Sequence, residues 1–365
     1  MKVTALYVYP IKALRGVALD SAELGPQGVR YDRRFMLFEV SDDGVLKKIQ
    51  LSSHTRAALF GQEIQGDRVV VRYLPPPGGE DPQLGSASVD DLHAKTLEVP
   101  LEPDTKALEP IHVNLHGSPT GAYRMGKPYD DWFSARFGHP TQLVYLGDGQ
   151  RPVLGTMSPS AVGKQPSPAE PQSWWAFLLS FIPLLPYLLL LLQKKFARDP
   201  QWITFTDCAP LLVTSESSLK DVTARLSDGL MMDMYKFRPN IVVDGEGEEA
   251  FAEDFWAELT TGGRDTAAAV AAEKSTRLML TSNCVRCTSL NVDYQTGRQA
   301  AGELGTVLKK LMKDRRVDKG AKWNPVFGRY AFLLPHSAIT HVKVGEEIEV
   351  TRRNSQRTVW DWPGL

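Results

Sequence analysis

Cysteine is scarce in this chain of 365 residues: Cys208, Cys284 and Cys287 are the only three. Three thiols build no disulfide framework, so the count fits a reducing compartment and leaves any special cysteine free for chemistry. An excess of charge of either sign is also missing. With 42 Lys and Arg against 43 Asp and Glu, the net charge is −1. That balance argues against a strongly basic nucleic-acid binder and against an acidic tail protein. The opening MKVTALYVYPIKAL has no long apolar stretch and no Arg/Ser-rich leader, so neither a secretory signal nor a mitochondrial transit peptide is expected there. No internal repeat stands out. What is present is a 42% hydrophobic, 23% charged chain, ordinary for a globular protein with one large or two ordinary domains.

One segment breaks this pattern. Trp174 to Leu192 reads WWAFLLSFIPLLPYLLLLL, with no charge between Glu170 and Lys194. As a single helix it would be about 28 Å long, close to the bilayer core. Pro183 and Pro186 divide it into halves too short to cross alone. A single crossing would also put the two parts of the chain on opposite sides of a membrane, although both are needed in one pocket. The expectation is therefore a hairpin turning at PLLP and dipping into one leaflet. Trp174 and Trp175 would sit at the interface at one end, and Lys194, Lys195 and Arg198 at the other. A buried core insertion and a gene-reading artefact are the alternatives.

Elsewhere short strands dominate. Alternation or short apolar runs predict strands at 3–9, 14–24, 30–40, 69–74, 143–146, 241–243, 277–280, 331–334 and 342–350. Helical spacing predicts a helix over 129–137 with Gly138 as its C-cap. A second runs over 216–226 with Ser215 as N-cap, and a third over 304–312. The fold class expected is α+β, rich in β-barrel, with a few helices.

Ser282 to Arg298 reads SNCVRCTSLNVDYQTGR. Its C-x-x-C is half of a zinc site, and no second pair completes it. A thioredoxin-like redox pair would want a helix after the first cysteine, where Thr, Ser, Leu and Asn follow instead. A single thiolate holding a soft transition metal is a third reading, and two small buried cysteines a fourth. Spacing alone leaves these open.

Several segments taken together carry a resemblance. LYVYPIKALRGVALDSAELGPQGVRYDRRFML resembles the N-terminal β-barrel of MOSC-domain proteins. TDCAPLLVTSESSLKDVTARL, KFRPNIVVDG, NCVRCTSLNVDYQTG and NPVFGRYAFLL resemble the MOSC domain itself, in the same order. The likeness is greatest to the amidoxime-reducing components, which bind molybdenum cofactor. It implies an N-terminal β-barrel domain over 1–125, and a MOSC domain over 126–353 interrupted by an insert at about 150–200. A tail over 354–365 completes the chain. It also implies that Cys287 is the metal ligand and catalytic residue, with Val285 and Arg286 before it in the loop facing the cofactor. Lys12 and Arg33 or Arg34 match the family's cationic positions, and Arg238 and Asn240 its cofactor-contacting pair. Asp207, Cys208 and Ala209 fall where the family sets a loop against the cofactor. Ala13, Cys208 and Ala209 stand where relatives often carry hydroxyls.

Such a cofactor is a pterin with a dithiolene and a phosphate, so planar donors and fixed cations make chemical sense. The implied activity is reduction of small N-hydroxylated substrates such as amidoximes. With no haem motif, flavin fingerprint or G-x-G-x-x-G, electrons must come from elsewhere, and the resemblance implies a cytochrome b5-type protein and its NADH-dependent reductase. The expected location is a membrane facing a reducing compartment, such as the cytosolic side of the mitochondrial outer membrane, with contact through 174–192. A cofactor carrier or sulfuration accessory without reductase activity is the rival reading, and a scaffold with a decayed site a third. Lys12, Arg33 and Arg238 also have plain readings as surface or salt-bridge cations. Asp293 could simply cap a turn, and Thr214 and Ser215 an N-terminus.

Overall fold

The computed structural model describes residues 1–77, 95–161, 201–227, 229–261, 275–334 and 339–364. The uncharged run 174–192 and its basic flank lie outside them. Among the described residues no helix is long and apolar enough to cross a membrane.

Eight strands form the main sheet, in the order Val17–Leu19, Val3–Val8, Ile241–Val243, Leu211–Ser215, Val326–Leu333, Arg277–Val285, Trp256–Thr261, Ile348–Arg353. The pairing is antiparallel except between Leu211–Ser215 and Ile241–Val243. A parallel pair needs a crossover, and the helix Glu216–Ala224 lies within it. Ser215 caps that helix by accepting from the Ser217 amide at 3.2 Å, as its sequence predicts. The alternation of Leu211, Val213, Ile241, Val243, Leu278 and Leu280 sends one set of side chains to a core around Trp256. Leu212, Tyr330 and Phe332 face the other way, onto Cys208, Cys284, Trp360 and Trp362.

The sequence reading expects β-barrels, but the described residues contain a half-barrel and no closed barrel. The reason is visible at its two edges. The chain leaving Val17–Leu19 becomes Ser21–Gly25, and the chain entering Ile348–Arg353 comes from Thr340–Lys343. These two segments pair with each other in a separate three-stranded sheet, and the edges of the main sheet are joined by the isolated bridge between Lys2 and Glu347 rather than by a continuous ladder. The single strand expected over 342–350 is thereby split at Gly345, whose φ is +86°.

A five-stranded sheet contains Glu109–Leu115, Ser118–Arg124, Thr141–Tyr145, Phe35–Val40 and Leu46–Lys48, in that order. Its first hairpin turns at His116 and Gly117, with φ +57° and +76°, the mirror-image turn that suits strand twist. The helix Lys127–Phe137 packs beside it and ends at left-handed Gly138, whose amide bonds the Ser134 carbonyl. A second three-stranded sheet joins Phe60–Gln65, Arg68–Tyr73 and Leu97–Pro100. Only Val307–Leu311 of the expected third helix is α-helical, preceded by a 3₁₀ turn over Gly302–Thr306.

Candidate functional site

The main sheet and the five-stranded sheet meet along the segment after the first strand. Tyr9 donates its amide to Asp32 Oδ1 at 2.8 Å, and Arg33 donates its amide back to the Tyr9 carbonyl at 2.8 Å. Lys12 is fixed by its amide bond to the Phe35 carbonyl, 2.9 Å. These bonds hold two distant stretches of sequence side by side at one end of a cleft of about 810 Å³, open mouth included.

Of the residues singled out in the sequence, Lys12, Arg33, Asp207, Ala209, Arg238, Asn240, Val285, Arg286 and Cys287 line this cleft. Two do not. Arg34 donates to the Gly147 carbonyl and lines a separate hollow with Tyr145. The Cys208 side chain is wholly buried in the apolar cluster around Trp360 and Trp362. Burial pushes its thiol well above the ordinary value, so it is a poor thiolate. Cys287 is the exposed cysteine of the three, its sulfur 3.2 Å from Ser289 Oγ.

The wall is cationic. Arg33 pairs with buried Asp32 at 2.6 Å and rests against the Tyr9 ring at 4.3 Å. Burial works against its charge, and Asp32 with Tyr9 more than offsets that. Arg238 lies against the same ring at 4.4 Å and donates from Nη1 to the Leu14 carbonyl at 2.8 Å. Its backbone is left-handed, with φ +56°; Ala13 and Arg33 also have positive φ, +74° and +47°. Three such non-glycine residues around one cleft is the kind of local strain that collects at functional sites. Asn240 is spent on the scaffold: its Oδ1 accepts from the Leu212 amide and its Nδ2 donates to the Tyr7 carbonyl.

The acidic partner is Asp207, with its side chain half exposed and Oδ1 2.5 Å from Lys12 Nζ. His116 Nε2 approaches the same oxygen at 3.4 Å. The enclosing protein pushes the Asp207 carboxyl up, but Lys12 and His116 prevail and hold it well below the usual range. Burial lowers the Lys12 and His116 values in turn, with Asp207 opposing. Arg151 fixes the loop from beneath, donating to the carbonyls of Thr204, Thr206, Leu115 and Asp207.

His116, Tyr9, Asp32 and Arg151 were not singled out in the sequence. The one local signal for His116 is the HG pair of a two-residue hairpin in NLHGSP; for Arg151 there is none. Asp293 is a turn cap, accepting from the Gln295 amide and the Thr296 hydroxyl at 2.8 Å each. Thr214 is buried in its strand and Ser215 caps the helix beyond it.

Residues 1–140 match the MOSC N-terminal beta barrel domain and residues 200–349 the MOSC domain. The chain is 31% identical over 358 residues to mitochondrial amidoxime reducing component 2 of Bos taurus, covering 95% of this chain and 82% of the relative. It is 24% identical over 355 residues to mitochondrial amidoxime-reducing component 1 of Homo sapiens, covering 95% and 82%. A molybdenum cofactor sulfurase of Solanum lycopersicum is 24% identical over 356 residues; there the match covers 95% of this chain and 35% of the relative.

Proposed function

The chain belongs to the MOSC-domain family, and from that premise we propose that it binds molybdenum cofactor in the cationic cleft and reduces N-hydroxylated substrates such as amidoximes. The observation that carries the reading is exposed Cys287 lining the same cleft as Lys12, Arg33, Arg238 and Arg286.

The donor set suits such a group. Arg238 Nη2, Arg286 Nε and Thr206 Oγ1 are buried and have no hydrogen-bond partner among the described residues, although all three side chains belong to the cleft. Buried donors without partners are costly in a folded protein, and an anionic or carbonyl-rich ligand would satisfy them. Arg238 and Lys12 would hold the phosphate, and Cys287 the metal. When bound, molybdenum supplies the two-electron removal of oxygen from nitrogen. An amidoxime with two electrons and two protons becomes an amidine and water.

The protein's own part is binding and proton supply. Lys12 Nζ lies 2.5 Å from Asp207 Oδ1 and His116 Nε2 3.4 Å from the same oxygen, so these would be the ionisable groups that relay protons there. Electrons would arrive from a cytochrome b5-type protein charged by an NADH-dependent reductase. The run from Trp174 to Leu192 is proposed to hold the protein against a membrane beside such donors. Deleting residues 173–196 should then move the protein to the soluble fraction.

The deciding test is molybdenum and released pterin in purified wild type and Cys287→Ser, followed by NADH-dependent amidoxime reduction with the donor proteins supplied. Near-stoichiometric metal and turnover in the wild type, lost in the variant, support the reading. A protein without molybdenum or pterin from a cofactor-competent host sinks it. The likeness to the sulfurase favours one rival, a cofactor carrier, which would bind the cofactor and turn over no N-hydroxy substrate.

A further inference from the structure

Away from the cationic cleft, Glu39, His54 and His139 bring one carboxylate oxygen and two imidazole nitrogens within 4.8 Å of one another. Three separate stretches supply them. Glu39 lies near the end of the strand Phe35–Val40 and pairs in register with Thr141, which places His139 beside it. Gly138 turns the chain there after the helix, and the Phe137 ring packs against His139 at 5.5 Å. His54 closes a turn by bonding its amide to the Gln50 carbonyl at 2.7 Å, and its Nε2 meets Glu39 Oε2 at 2.9 Å.

We propose that this cluster is a binding site for a divalent first-row transition ion of the zinc class, held by Glu39, His54 and His139 with solvent completing the coordination. Two imidazoles and a carboxylate are a donor set that such ions take, and a three-ligand site keeps a position open. The second neighbours are also suitable. His54 Nδ1 is 2.9 Å from Ser53 Oγ, and His139 Nδ1 is 3.3 Å from Thr141 Oγ1 and 3.4 Å from the Pro140 carbonyl. Oxygen partners of this kind fix the orientation and tautomer of ligating imidazoles. His54 and His139 both face a hollow that gives the ion its way in. Arg56, on the same hollow, has its guanidinium turned to the Arg136 carbonyl and the Tyr73 hydroxyl. Lys47, opposite Glu39 across the strands, and Arg298 at the rim are the opposing charges.

The site connects to the cleft through one short segment. Gln50, Leu51 and Ser52 line the cleft, while Ser53, His54 and Thr55 line the hollow. An ion on His54 therefore ties this wall of the cleft to the end of the five-stranded sheet.

The test is titration of the metal-free full-length protein with Zn²⁺ by calorimetry, and with Co²⁺ by visible absorption. The expected result is one saturable equivalent, with cobalt d–d bands and no thiolate-to-cobalt band. Binding should persist in Cys287→Ala and weaken at least about tenfold in His139→Ala. His139→Ala decides, because it leaves the Glu39–His54 pair intact; its fold is checked by circular dichroism. No saturable binding by the wild type, equal binding by folded His139→Ala, or loss of binding in Cys287→Ala overturns the proposal. Because neither readout uses reductase activity or molybdenum, this outcome is independent of the proposed reaction.

Discussion

Arg286 binds the first cysteine of the C-x-x-C and leaves the second free. Its Nη1 donates to Cys284 Sγ at 3.0 Å and its Nη2 to the Phe237 carbonyl at 2.7 Å. The two thiols of one motif therefore have different jobs: Cys284 is a buried anchor for the guanidinium, and Cys287 presents its sulfur to the cleft.

This division predicts opposite phenotypes. Cys284→Ala should keep molybdenum and lose stability by about 1–3 kcal/mol, the cost of leaving a buried charged donor unpaired. Cys287→Ser should keep stability and lose the metal. Paired thermal melts and elemental analysis check both; metal lost equally from the two variants would contradict the assignment.

Arg238 offers a second separation. Nη1 is used by the Leu14 carbonyl, while Nη2 has no partner among the described residues. Arg238→Ala should therefore reduce cofactor retention roughly 10- to 100-fold, the worth of a charge-assisted hydrogen bond of about 1.5–3 kcal/mol. Pterin released per protein after extended dialysis measures it. Retention equal to the wild type would remove Arg238 from the binding role.

Much of the candidate site was legible through the resemblance, which is carried by local motifs. TDCAP, FRPN and NCVRC each keep their key residues within a few positions: a bend before the strand Leu211–Ser215, the cap of the 3₁₀ turn Met234–Phe237, and the end of the strand Arg277–Val285 with the two residues after it. Arg33 and Arg34 show where local reading stops. Adjacent in sequence, they point to different hollows, because Arg33 takes a left-handed backbone and bonds Tyr9, while Arg34 reaches Gly147. His116 and Arg151 escaped for another reason. Their roles exist only once a hairpin from the five-stranded sheet meets the Asp207 loop, a contact between distant segments that no spacing encodes. The expectation of a closed barrel failed likewise, because residues 21–25 pair with the distant residues 340–343 in a sheet of their own.

Gly28 tests how closely the Asp207 loop is held. Its φ is +93°, and a Cβ there would lie 2.4 Å from the Pro210 carbonyl oxygen. Gly28→Ala must shift either the Gly28–Val29 strand or the loop running from Asp207 to Pro210. The expected cost is about 1–3 kcal/mol in denaturant unfolding, with weaker cofactor retention. A variant with wild-type stability would show that this approach is loose.

Glu253 gives the sharpest pH prediction. It is fully buried, and burial lifts its carboxyl from 4.5 to about 7. Oε2 accepts from the Ser218 hydroxyl at 2.7 Å, and Oε1 has no partner among the described residues. A carboxyl raised on folding binds its proton more tightly in the native than in the unfolded chain. Its contribution is therefore greatest below pH 4.5 and is lost as pH rises from there to about 7. The full swing is about 3 kcal/mol, from the difference between the two values at 1.36 kcal/mol per unit. Glu253→Gln removes the titration. Unfolding free energy measured from pH 5 to pH 8 should fall more steeply in the wild type than in the variant, and parallel profiles would show that Glu253 stays ionised in the core.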